Sequence, residues 1–125
     1  MNKISSGLRT LFLVHFVVGL VFGLAFVLIP KIFMGMFGMS VADVEPYRLV
    51  GAAVLGFSAS SWYCYKATAW DRVKIVVQAE IVWAVLATLV LLYGLLFAGQ
   101  PTAQWINAII MAAFAVAFIY FYSKK

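Results

Sequence analysis

The chain has 125 residues, of which 66% are hydrophobic and only 10% charged, and its net charge is +5. A soluble domain is roughly half apolar and about a quarter charged, and one this short has too little interior to hide the surplus, so water is excluded as the main solvent. The single cysteine, Cys64, excludes an intramolecular disulfide, a lone paired-thiol redox enzyme and a cysteine-rich metal cage, while basic residues that flank apolar runs point to anionic lipid headgroups and away from nucleic acid.

Four apolar runs follow in chain order, at residues 8–29, 47–65, 73–98 and 103–122. Each is close to the ~20 apolar residues needed to cross a bilayer core. The runs are continuous, without the alternation of a membrane barrel, so helices are expected. The first run is longer than a secretory h-region and no small-residue cleavage site follows it, so no cleaved signal peptide is expected. The expected fold is all-α: an integral membrane four-helix bundle forming one domain over residues 1–125.

With four spans, the N-terminus, the second loop and the C-terminus share one side. That side holds Lys3, Arg9, Lys66, Arg72, Lys74, Lys124 and Lys125, against Lys31 and Arg48 on the other. Positive residues favour the inner side, so both termini are expected in the cytoplasm and the chain in the cell membrane. Between spans 1 and 2 the stretch from Ile32 to Met39 is apolar but too short to span; it is expected to lie at the outer interface or fold back over the bundle. Gly99-Gln100-Pro101-Thr102 reads as a tight turn.

Apolar helices in lipid have no hydrophobic reason to associate, so small residues mark contact faces. Span 1 offers Gly19 and Gly23, a GxxxG pattern. Span 2 is rich in Gly, Ala and Ser, span 3 has Ala84, Ala87 and Gly94, and span 4 has Ala108, Ala112 and Ala115. Internal packing accounts for the GxxxG pattern more simply than a homodimer seam does, though a homo-oligomer stays open.

Ionisable groups within a span are costly and usually face protein or water. His15 shares a helical face with Gly19 and Gly23, and Glu80 shares one with Ala84 and Ala87. Both lie at a similar depth from the inner side, as do Ser58, Ser60 and Ser61 of span 2. His15, Glu80 and a serine, Ser58 or Ser61, are therefore expected to meet inside the bundle. The functional reading is a ligand or proton site, because an adjacent histidine and carboxylate can share a proton. The simpler readings are a structural hydrogen-bonded pair, or Glu80 held by Arg9, Arg72 or Lys74.

A second polar level lies near the outer side: Arg48, Tyr93, Gln104 and Asn107, which could form an anion or headgroup site. The simpler reading has Arg48 neutralised by Glu45 or Asp43 beside Pro46 at the helix start. Met34, Met36 and Met39 could bind copper(I), but packing on the bundle explains them better. Trp83 fits a core gap and Cys64 a buried thiol. Asp71 reads as a solvated partner of Arg72 or Lys74. No nucleophile motif, phosphate loop or metal-ligand spacing occurs, and no cofactor or metal is implied.

The glycines of span 1, the proline at its end and the opening of span 2, Tyr47-Arg48-Leu49-Val50-Gly51-Ala52-Ala53-Val54-Leu55-Gly56, carry a resemblance. The chain resembles a broad group of small four-helix prokaryotic membrane proteins that is DoxX-like in layout. The resemblance implies the fold but no activity that transfers to particular residues. Small multidrug transporters are a poorer match: their essential glutamate lies in the first span, where this chain has His15.

The leading functional expectation is a non-enzymatic membrane protein that binds a lipid or other apolar ligand, or assembles with partners through the bundle. The alternative is a proton-coupled transporter or channel using His15 and Glu80. An enzyme ranks third, with His15 and Glu80 as the acid–base pair.

Overall fold

The computed structural model describes residues 3–125. It contains five helices: α1 (Ser6–Leu28), α2 (Pro30–Gly35), α3 (Glu45–Lys66), α4 (Trp70–Phe97) and α5 (Gln104–Ser123). The sequence leads to four, and α2 is the addition. Proline lacks the N–H that would continue α1, yet its fixed φ suits the first turn of a new helix. Pro30 thus ends α1 at Leu28 and opens α2 after one residue, Ile29.

Helices α1, α4 and α5 are long and apolar enough to cross a membrane. Helix α3 is as long as α1 to within a residue, but it contains Arg48, three serines and many small side chains, so its apolar content is lower. The outward surface is strongly apolar, with Val17, Val21 and Leu28 of α1, Leu89 and Val90 of α4, and Ile109 and Val116 of α5 all exposed. A surface of that kind belongs to a membrane protein, with lipid as its solvent.

Helices α1 and α3 form one antiparallel pair, α4 and α5 the other. The α1–α3 seam is set by glycine. A Cβ on Gly51 would stand 2.9 Å from the Gly23 carbonyl oxygen, and one on Gly19 would stand 3.0 Å from Ser58 Cβ. The GxxxG stripe of α1 therefore faces α3 of the same chain, and it allows the two backbones to approach closely.

The two pairs meet mainly at the end that carries both chain termini. There Leu8 and Phe12 of α1, Val73 and Val77 of α4 and Phe118 of α5 are fully enclosed in one apolar core. Polar ties close this terminal end. The Ile4 N–H donates to the Thr68 carbonyl at 3.1 Å. Lys125 Nζ donates to the Lys3 carbonyl at 2.6 Å and lies over the Trp70 ring.

At the far end, Phe33, Met34 and Phe37 pack against Phe22, Phe26, Tyr47 and Ala103. The segment after α1 thus folds back over the bundle. Gly38, at φ 77°, makes the return turn possible, and a Cβ there would lie 3.1 Å from Pro101 Cβ. The α4–α5 turn needs Gly99 at φ 66°, which lets the Gln100 N–H reach the Gly94 carbonyl at 3.1 Å.

Candidate functional site

His15 is the tenth residue of α1 and Glu80 the eleventh of α4, so both stand about 15 Å from their helix starts at a rise of about 1.5 Å per residue. Each is on the buried face of its helix, in register with Gly19 and Gly23 in one case and Val77 and Ala84 in the other. The two side chains meet across the interface between the helix pairs. His15 Nε2 lies 3.0 Å from Glu80 Oε2. On the other side of the ring, Nδ1 is 2.7 Å from Ser61 Oγ. The ring also stands edge-on to Phe114 and Phe118, with centroids 4.7 and 5.6 Å away.

This cluster is deeply enclosed: Glu80 is 1% exposed, Ser61 0% and His15 7%. The close approach of Nε2 to Oε2 is poorly aligned for a ring N–H bond, so neither Glu80 oxygen has a well-formed hydrogen bond. The ion-pair distance and the missing hydrogen bond describe one contact. The distance is the better guide to the electrostatics, because Coulomb attraction is less directional than a hydrogen bond.

Ser58 does not join this cluster. Its Oγ donates to the Phe16 carbonyl at 2.6 Å and stitches α3 to α1. A serine, a histidine and a carboxylate in line also suggest a hydrolytic triad. Ser61 is fully enclosed, however, so no substrate carbonyl can reach its hydroxyl.

Above the cluster the two helix pairs diverge, leaving a cavity of about 750 Å³. Its base is His15 with Phe114, its walls include Phe22, Val54, Trp83 and Ala87, and its roof is Met34 and Phe37. Cavities of about 300–1,000 Å³ hold drug-sized molecules. Trp83 is stacked on Phe57 across the α3–α4 gap, at 5.6 Å and 14°. Beside it Leu86, Val90 and Tyr93 are exposed, so the cavity opens sideways toward the apolar exterior.

The far mouth of the cavity is polar. Tyr93, Gln100, Gln104 and Asn107 line it. Asn107 Nδ2 donates to Gln104 Oε1 at 2.7 Å, and Gln104 Nε2 donates to Met39 Sδ at 2.7 Å. Asn107 Oδ1 is enclosed and has no partner. An unpaired buried acceptor costs about 1–3 kcal/mol. Arg48, grouped with these residues on sequence depth, is turned elsewhere: Nη1 meets Glu45 Oε1 at 3.2 Å and Nε donates to the Val27 carbonyl at 3.3 Å. Helix α3 is rotated so that Arg48 caps the end of α1, while Asp43 Oδ1 accepts from the Glu45 N–H.

The structure thus joins His15, Ser61 and Glu80 at one level, and Tyr93, Gln104 and Asn107 at the other. Ser58 and Arg48 lie apart from both groups. Met39, as an acceptor for Gln104, and the Phe114–Phe118 clamp on His15 carry no sequence signal of their own; both are long-range contacts from residues that read as packing. Compared with family models, curated proteins and solved structures, the chain matches none.

Proposed function

We propose that this chain is a four-span protein of the cell membrane, with both termini cytoplasmic, that holds a lipid-like or other apolar ligand in the cavity between its helix pairs. The observation that carries the reading is the cavity itself: about 750 Å³, apolar along its walls, polar at one mouth and open sideways where lipid would lie. An apolar space of that size loses dispersion contacts when empty, and a ligand restores them.

The fourth span in this reading is α3. It packs along α1 from Gly51 to Ser61, so it must enter the bilayer with its partner. Gly51 and Ser58 face α1, Ser58 and Ser60 donate to carbonyls within the protein, and Ser61 meets His15. The DoxX-like layout fits the same arrangement. The cytoplasmic assignment of the terminal end rests on its basic residues. Four of them lie over aromatic rings there, Arg9 on Tyr65, Lys66 on Trp62, Lys124 on Tyr120 and Lys125 on Trp70, as suits an interfacial belt. Membrane lipids are the natural partners. A homo-oligomer would have to use a surface other than the GxxxG face.

Filling the cavity tests the reading. Protein extracted directly into lipid nanodiscs should carry an apolar compound enriched over bulk lipid by mass spectrometry. Ala87→Trp should remove that enrichment while leaving thermal unfolding unchanged. The same lipid profile in both proteins would overturn the proposal.

The His15–Glu80 pair at the closed base of the cavity supports the alternative, a proton-coupled transporter or channel. Liposomes should then show pH-dependent flux that Glu80→Gln abolishes; flux unchanged by that substitution would rule it out.

A further inference from the structure

We infer that the cavity selects an amphiphile whose head group is an uncharged hydroxyl, seated between Gln104 and Asn107 with its apolar body directed toward His15. The inference rests on the ligand-binding reading above and specifies the chemical class.

Charge decides the first part. Among the described residues lining the cavity, His15 is the one ionisable group apart from tyrosine, and both its nitrogens are engaged by Ser61 and Glu80. No lysine or arginine reaches the cavity wall, and Arg48 is held by Glu45 and the Val27 carbonyl. A phosphate or carboxylate head would lose its hydration there without gaining a cation. An ammonium head would lack an anion, because Glu80 is behind His15 and does not line the cavity.

Hydrogen-bond matching decides the second part. At the mouth one acceptor is both enclosed and unpaired, Asn107 Oδ1. Beside it Gln104 Nε2 is a poorly matched donor, its partner the thioether of Met39. Thioether sulfur is a weak acceptor, so a ligand oxygen would displace it readily. With Met39 moved aside, a hydroxyl inserted between the two amides can donate to Asn107 Oδ1 and accept from Gln104 Nε2 at once. An ether or ketone can only accept, and leaves Asn107 Oδ1 unpaired. If both amides were turned over, the mouth would offer the reverse pair, and a hydroxyl would satisfy that too.

The position of the apolar body follows from the walls. Below the mouth the lining is aromatic and aliphatic down to Phe114, and Trp83 sits beside it as a reporter.

The test uses the full-length protein in lipid nanodiscs and three probes of equal chain length: 12-bromododecan-1-ol, its methyl ether, and 12-bromododecanoate. Bromine quenches tryptophan on contact, and Trp83→Phe supplies the background from the other tryptophans. The alcohol should quench Trp83 with about tenfold higher affinity than the ether, the factor expected for one well-placed hydrogen bond. It should also surpass the carboxylate. Asn107→Leu should bring alcohol and ether to within about twofold, with affinity for the ether retained as evidence that the fold is intact. Equal binding of alcohol and ether by the unmodified protein, or tighter binding of the carboxylate, would overturn the head-group assignment and leave the cavity reading standing. Failure of all three probes to quench Trp83 would overturn both.

Discussion

His15 binds three elements at one point: α3 through Ser61, α4 through Glu80 and α5 through the two phenylalanine rings. Removing one member of such a pair costs more than removing both, because a lone buried charge is left behind. His15→Leu is expected to destabilise the protein by about 3–5 kcal/mol, while His15→Leu with Glu80→Leu should recover most of that loss. Unfolding curves in mild detergent, read as a double-mutant cycle, check the order; additive single effects would contradict it. Helical spacing already put His15 on the face of Gly19 and Gly23, and Glu80 on that of Ala84, so their meeting was legible in the sequence. The choice of serine was not. Ser58 and Ser61 share the buried face of α3 one turn apart, meeting the Phe16 carbonyl and His15, while Ser60 turns back to the Phe57 carbonyl. Which serine reaches His15 depends on the rotation and axial register of α3, fixed by the approach of Gly51 to Gly23 and of Ser58 to Gly19 rather than by local pattern. The same rotation turns Arg48 to the end of α1 and away from Asn107.

Among the helices, α1 and α3 depend most on close approach. Gly51→Ala places a methyl 2.7 Å from Phe26 Cβ and 2.9 Å from a backbone oxygen that cannot yield. Overpacking of this kind costs about 1–3 kcal/mol. Gly56→Ala meets nothing within 4 Å, so it should be neutral or gain up to about 1 kcal/mol from helix propensity. Thermal unfolding of the two variants separates a seam glycine from an incidental one; equal shifts would contradict the seam. The long helices announce themselves by unbroken apolar runs, and their observed limits lie within a few residues of those runs. The short α2 does not, because six residues between Pro30 and a loop carry no helical period. Its position over the bundle comes from Phe33, Met34 and Phe37 meeting Phe22, Phe26 and Tyr47, a contact between distant segments.

For the molecule as a whole, orientation and the cavity are separate matters of sequence and of tertiary structure. The proposed orientation rests on the basic residues. In a Cys64→Ala background, Met36→Cys should react with an impermeant maleimide applied to intact cells, and Ser123→Cys should react only after lysis. The reverse pattern would invert the topology. The cavity had no sequence signature, since Val54, Trp83 and Ala87 look like any packing residues; it exists because the two helix pairs match closely at the terminal end and diverge above it. That division also bears on how the chain is made. Each pair completes its own seam from helices close in the chain, α1 and α3 with only the short α2 between them, so α1 and α3 can settle together while α4 and α5 are still being synthesised. The final event is then the docking of two finished halves, and the cavity is the part of their surfaces that docking leaves apart.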